Sequence, residues 1–332
     1  MLWQHADPMK RMMKIVLGIA GSLVLGIVLL GLLQHDRIGM PAGAAGSYLD
    51  LDGMKIRYVQ KGQGRDVLLI HGTPSSLEEW QPVFERWATH FRVTAFDRAG
   101  QGYSSRPAFV SGVDFHAQVA KRLMAELHLH DTIVVGHSYG GAVALKLAAD
   151  DDSPATAFLV VASTIYPSAE WNATLGKLLR LPVAGRGIAV LLGALGGGMV
   201  QYGVERAFHP DERLIPAGYI ESRKAIWLQP KVTLTVAQEM DVHAQQLSAL
   251  ATRYPGIKRP VYLVAGRGDK PEVVRGAERL ARELPGAHVT FLEGAGHMLQ
   301  FTRPDELTAL LDKVDRETTP STASGQAAVP AR

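Results

Sequence analysis

A chain of 332 residues, 47% hydrophobic and 20% charged, has room for one large α/β domain or two small ones. A net charge of +3, with no dense Lys/Arg stripe among aromatics, gives no case for a nucleic-acid partner. Cysteine is absent, which excludes disulfides, thiolate metal sites, a cysteine nucleophile and a lipidated cysteine anchor.

Residues 1–14 carry Lys10, Arg11 and Lys14, and IVLGIAGSLVLGIVLLGLL follows at 15–33 without a charge. As a helix that stretch reaches roughly 28 Å, against a hydrocarbon core of about 30 Å. Only Arg37, beside Asp36, follows closely. The positive-inside rule then predicts a single-pass membrane protein with a cytoplasmic N-terminus and the rest of the chain on the non-cytoplasmic side. A competing reading is a signal peptide cleaved at Ala42-Gly43-Ala44. The apolar stretch exceeds an ordinary signal core and the A-x-A site lies well downstream, so an uncleaved anchor is the expectation. Gly18, Ser22 and Gly26 recur every fourth residue, leaving one face small enough for helix contact, though glycine is common in membrane helices generally. Residues 34–47, ending in GMPAGAAGS, read as a flexible linker.

From there strands and helices alternate. Segments 48–52 and 55–59, joined at Asp52-Gly53, read as a hairpin. Short apolar runs at 67–70, 91–96, 133–135, 157–162, 261–265 and 288–292 read as strands. Helical patterns at 77–88, 115–127 and 272–283 separate several of them. Such alternation predicts an α/β fold whose mostly parallel sheet is covered on both faces, with the ligand site outside the carboxyl ends of the strands.

At one strand end, GHSYG (136–140) matches the nucleophile elbow G-x-S-x-G. A tight strand-to-helix turn strains the serine backbone, and glycines two residues to either side remove side chains that would strike nearby backbone. The serine hydroxyl is thereby presented at a helix N-terminus, whose dipole favours developing negative charge. It needs a base, and the base an orienting carboxylate. VYLVAGRGD (261–269) ends a strand in Asp269, and VTFLEGAGH (289–297) ends one in a loop carrying His297. Taken singly, Asp269 reads equally as a helix cap and His297 as a backbone-bonded loop residue. Their arrival in the order Ser138, Asp269, His297 at strand ends favours a triad. Acyl transfer also needs two N–H donors for the oxyanion. The backbone of Tyr139 opens a helix, and that of Thr73 in HGTP (71–74) precedes a proline with no N–H of its own. His71 and His137 read as structural neighbours, and His128, His130 and Asp131 as a surface turn with no metal.

HGTPSSLEEW (71–80), FDRAGQGYS (96–104), GHSYGG (136–141), GRGD (266–269) and GAGHMLQFTRPDEL (294–307) resemble the α/β-hydrolase fold superfamily over about 48–312. They are most similar to its branch of esterases, cofactor-free haloperoxidases, carbon–carbon bond hydrolases, epoxide hydrolases and haloalkane dehalogenases. The resemblance implies Ser138 as nucleophile, His297 as base, Asp269 as orienting acid and Thr73 and Tyr139 as oxyanion donors, with no cofactor. It gives Asp97 and Gly102 a structural turn. HGTPSSLEEW is closest in style to the dehalogenases and epoxide hydrolases, which use an aspartate nucleophile where this chain has Ser138. Ester or thioester cleavage through an acyl-enzyme therefore fits better than halide displacement.

The resemblance also places a helical cap at 168–250. Within it IAVLLGALGGGMV (188–200) is apolar but too short to span a membrane. Read as one helix, it roofs an acyl pocket, packs inside the cap, or touches the bilayer. Residues 313–332 read as a tail whose last stretch, from Thr318, is rich in Ser, Thr, Ala and Pro. The function expected is a membrane-anchored serine hydrolase of a small, apolar ester. Haloperoxidase or carbon–carbon hydrolase chemistry on the same triad, and a silent binding protein on this fold, are the alternatives. Oligomeric state is not legible.

Overall fold

The computed structural model describes residues 8–34, 40, 44–108, 112–168 and 173–319. It opens on helix α1 (Pro8–Leu33), seven residues earlier than the apolar run, with proline in the first turn where its missing N–H costs nothing. The hairpin follows as β1 (Ser47–Leu51) and β2 (Met54–Lys61), turning at Asp52-Gly53. Next come β3 (Asp66–Ile70), α2 (Gln81–Trp87), β4 (Arg92–Phe96), α3 (Gly112–Glu126), β5 (Thr132–His137), α4 (Tyr139–Ala149) and β6 (Ala155–Val161). The expected helix at 77–88 begins as a 3-10 turn over Leu77–Trp80 before α2.

Strand order is β1-β2-β4-β3-β5-β6-β7-β8, where β7 is Val261–Gly266 and β8 is Ala287–Leu292. The hairpin pairs antiparallel, and every pairing from β4 to β8 is parallel. In β3, Val67 and Leu69 enter one apolar cluster while Leu68 and Ile70 enter the other, so alternate side chains serve opposite faces. Both faces are covered, which is why the central strands read as unbroken apolar runs. The cluster holding Leu68 takes Leu123 of α3, Val143 of α4 and Leu280 from the helix between β7 and β8. The cluster holding Val67 takes Trp87 of α2 and Leu307, Leu311 and Val314 from the last helix.

Between β6 and β7 lies the cap: α5 (Ala173–Leu179), α6 (Ala184–Leu195), α7 (Gly197–Phe208), α8 (Tyr219–Trp227) and α9 (Pro230–Ala251). The run at 188–200 is not one helix. Its axis breaks at Gly196, and α6 and α7 meet at 72°. Consecutive glycines at 196–198, each about 1 kcal/mol worse than alanine inside a helix, give the chain its corner. Helix α10 (Pro271–Glu283) joins β7 to β8, and α11 (Leu299–Thr302) and α12 (Pro304–Thr318) come after β8. Helix therefore continues past the expected start of the tail at 313, because Leu311 and Val314 still pack on the sheet. Residues 320–332 of that tail lie outside the described residues.

At the amino ends of the strands Arg65 draws the chain together. It donates to the Asp131 carbonyl at 2.9 Å and carboxylate at 3.1 Å, to Thr156 Oγ1 at 3.0 Å, to Asp315 Oδ1 at 3.2 Å and to Thr318 Oγ1 at 2.8 Å.

The cap is tied to the sheet by a fully buried carboxylate, Glu239 of α9. Its Oε1 accepts from Arg98 Nη1 at 2.5 Å and His116 Nε2 at 2.7 Å, and its Oε2 from Thr73 Oγ1 at 2.7 Å. Burial alone would raise the pKa of Glu239, but the Arg98 charge and the His116 hydrogen bond hold it well below the usual carboxylate range. Removing one member of a buried, paired group strands the other. Glu239→Ala is expected to cost about 3–5 kcal/mol, read as a lower denaturant midpoint, with Glu239→Gln losing less.

Candidate active site

Ser138 sits between β5 and α4 with φ 52° and ψ −118°, a backbone conformation L-residues rarely adopt. The turn is closed by Ser138 N–H donating to the Val161 carbonyl at 2.9 Å and by Ser163 Oγ donating to the Ser138 carbonyl at 2.5 Å. A Cβ at Gly136 would strike the backbone of Gly140, and one at Gly140 the carbonyls of Ile70 and His71. The glycines around the serine are there because three strand ends crowd it.

Asp269 follows β7 and His297 follows β8. His297 Nδ1 faces Asp269 Oδ2 at 2.8 Å, and the Asp269 side chain is 1% exposed against 16% for His297. A carboxylate only accepts, so Nδ1 carries the proton in this hydrogen bond. The second Asp269 oxygen accepts from Lys270 N–H at 2.6 Å. Ser138, Asp269, His297 and Thr73 all line one cavity of about 740 Å³. Helices α7 and α8 supply much of its far wall through Tyr202, Val204, Phe208, Tyr219 and Trp227.

Tyr139 contributes differently from its sequence neighbours. Its N–H is the first of α4 and belongs to the donors that a helix leaves without an internal acceptor. Its ring is buried away from the cavity, stacked on His243 at 5.0 Å with the Arg98 guanidinium 4.4 Å from its centroid. Burial pushes the phenol well above its ordinary pKa. Thr73 is clamped as well: its hydroxyl donates to Glu239 and accepts from Gln101 Nε2 at 2.9 Å.

Sequence reasoning missed Glu79. Its Oε1 accepts from His137 Nδ1 at 2.7 Å and from Gly72 N–H at 3.1 Å, and His137 Nε2 donates to the His297 carbonyl at 3.0 Å. Both ring nitrogens of His137 thus face acceptors, an arrangement that favours the imidazolium. Burial works against that charge, but the Glu79 carboxylate and the His297 carbonyl outweigh it and raise the pKa of His137. Burial likewise opposes ionised Glu79, and the His137 charge and hydrogen bond hold it down to about 2. The pair joins the loop after β3, the elbow and the backbone of His297. Nothing in HGTPSSLEEW distinguishes Glu79 from Glu78, and its partner stands 58 residues away. Glu78 instead pairs with Arg57 at 2.5 Å.

The remaining sequence-selected residues have structural surroundings. His71 Nδ1 donates to the Gly72 carbonyl at 2.8 Å and its Nε2 accepts from Arg98 N–H at 2.9 Å. Burial and the neighbouring Arg98 charge lower its pKa to about 3. Asp97 accepts from the backbone of Leu77 and Tyr103, both at 2.7 Å, across the turn that contains Gly102 at φ 49°. His128 and His130 are exposed, and Asp131 is engaged by Arg65.

A family model described as alpha/beta hydrolase fold matches residues 67–304. The dihydrolipoyllysine-residue acetyltransferase component of the acetoin cleaving system of Cupriavidus necator is 30% identical over 286 residues, 82% of this chain and 69% of that protein. A thermophilic esterase from Thermogutta terrifontis is similar in structure with a TM-score of 0.68 at 20% identity, over 83% of this chain and 99% of the esterase. The enol-lactonase from Burkholderia xenovorans is similar with a TM-score of 0.67 at 20% identity, over 81% and 99% of the two chains.

The Glu79–His137 pair predicts a pH signature. His137 is raised in the folded state, so its contribution is complete below the unfolded value of 6.5 and is lost as pH rises through the folded one. Glu79 is depressed, so its contribution is complete above the unfolded 4.5 and is lost as pH falls toward about 2. The pair therefore supports the fold most between those two unfolded values. The melting-temperature deficit of Glu79→Gln should be largest near about pH 5.5 and shrink as pH rises through the raised His137 value. A deficit just as large well below pH 4.5 as at about pH 5.5 would mean that Glu79 does not carry its charge into the fold.

Proposed function

The chain belongs to the α/β-hydrolase fold family, and from that premise we propose a membrane-anchored serine hydrolase that cleaves carboxylic esters through an acyl-enzyme. The observation that carries this reading is the His297 Nδ1 to Asp269 Oδ2 hydrogen bond of 2.8 Å, formed at the wall of the cavity onto which the strained Ser138 opens.

In this reading His297 Nε2 takes the Ser138 proton as Oγ attacks the ester carbonyl, and Asp269 steadies the imidazolium that results. The N–H groups of Thr73 and Tyr139 receive the negative charge that develops on the carbonyl oxygen. Collapse of the tetrahedral adduct returns the proton from His297 to the departing alkoxide and leaves Ser138 acylated. Water, deprotonated by His297, then attacks that ester, and as the bond to Ser138 Oγ breaks His297 returns the proton to the serine and the acid is released.

The apolar cavity wall of Val204, Phe208, Tyr219, Trp227 and Met298 supports a small apolar ester as substrate. Helix α1 supports the anchor: Met9–Leu33 is long and apolar enough to cross a bilayer, and 6% of its most apolar window is buried in the protein. Lys10, Arg11 and Lys14 ahead of the span support a cytoplasmic N-terminus and a catalytic domain on the opposite side.

Labelling the full chain with a fluorophosphonate probe tests the chemistry. Wild type should label and Ser138→Ala should not, and undiminished labelling of that variant would move the reactive hydroxyl elsewhere. On a p-nitrophenyl ester, Asp269→Asn should lower kcat by about 10⁴-fold with KM nearly unchanged, because the imidazole would lose its tautomer.

A further inference from the structure

Helix α1 and the cap are joined. The last turns of α1 pack on α6, with Gly31 facing the Val183 carbonyl and Gly187 facing the Ile27 carbonyl. A Cβ at either glycine would collide with the opposing backbone, so the two helices cross at glycine-limited separation. Earlier in α1, from Met9 to Leu25, the large apolar side chains are exposed.

The crossing has a depth. Gly31 lies two residues, and Ile27 six, before the apolar end at Leu33, which puts the contact about 3–9 Å inside that end of the span. A span seated with residues 15–33 in hydrocarbon carries α6 down with it. Beyond the crossing, α6 and the start of α7 expose large apolar side chains beside Gln201: Leu191 is 38%, Leu195 83%, Met199 62% and Tyr202 64% exposed. Arg186 is the one charge between Ala184 and Leu195, and its stem is long enough to snorkel to the headgroups. The inner side of α7 meanwhile lines the catalytic cavity with Val204 and Phe208, and Tyr202 belongs to both surfaces.

We infer that α1 seats α6 and the first turn of α7 in the far leaflet of the bilayer, so that the cavity takes an apolar ester dissolved in lipid rather than in water. The inference rests on the reading of α1 as an anchor, and continuity with that span is what selects lipid as the occupant of the exposed face. Area burial favours the same placement, since each exposed apolar side chain gains by leaving water.

A chain without cysteine makes the test direct. Single cysteines at Leu195, at Met199 and at the remote, open Gly286 of the full protein are labelled with an environment-sensitive fluorophore in phosphatidylcholine–phosphatidylglycerol vesicles. Lipids brominated at shallow chain positions should quench the first two labels several-fold more than the third. Gly187→Leu should return the Leu195 label to water while α1 still resists carbonate extraction. The same variant should lose about tenfold activity on a vesicle-dissolved long-chain ester and keep its activity on a short soluble one. Water-like labels on a carbonate-resistant chain would overturn the seating and leave the anchor standing. Parallel loss on both esters would overturn entry from lipid. Release by carbonate would overturn the anchor itself.

Discussion

The turn at Ser138 sets the terms for everything near it. A non-glycine residue held at φ 52° persists only when its surroundings leave no alternative, and here they are three strand ends and the first turn of α4. That crowding demands glycine at 136 and 140 and draws the Ser163 hydroxyl onto the Ser138 carbonyl, and the loops after β3, β7 and β8 line the same cavity. A parallel sheet supplies such a point naturally, because the carboxyl ends of its strands face the same way.

Charge is buried around that point in two separate units. Glu79 with His137 lies on the side of the loops after β3 and β8, and Glu239 with Arg98 and His116 lies under Thr73 and Tyr139. Each carboxylate is held ionised by its partners rather than by water, which gives both units fixed geometry. One joins the elbow to the backbone of His297. The other joins a cap helix to the loop bearing Thr73. Cap and site are therefore mechanically continuous, although 166 residues separate Thr73 from Glu239.

Much of this was legible in the sequence, because a parallel sheet buried on both faces leaves an apolar run for each strand and the cavity opens at the ends of the runs. Ser138, Asp269, His297 and Thr73 each stand just beyond the carboxyl end of such a run, and they share the cavity. Glu79 and Glu239 were not legible, since a buried ion pair between distant segments leaves no local pattern. The run at 188–200 reads as one helix because apolarity is visible in composition, whereas the break at Gly196 depends on backbone preference at a single corner. For α12 the misleading signal is the polar composition beyond 312, which hides Val314 packing beneath the sheet.

Arg65 carries a consequence for how the molecule is made. Its partners Asp315 and Thr318 are synthesised about 250 residues after it, and they complete the pole of the sheet opposite the cavity. Until α12 has left the ribosome, the guanidinium lacks those acceptors and the apolar cluster around Val67 lacks Leu307, Leu311 and Val314. His297 also arrives late, only seven residues before α12 begins. Closure of the sheet and arrival of His297 thus depend on the same short stretch of chain, so the residues that line the cavity come together only when the sheet itself is complete.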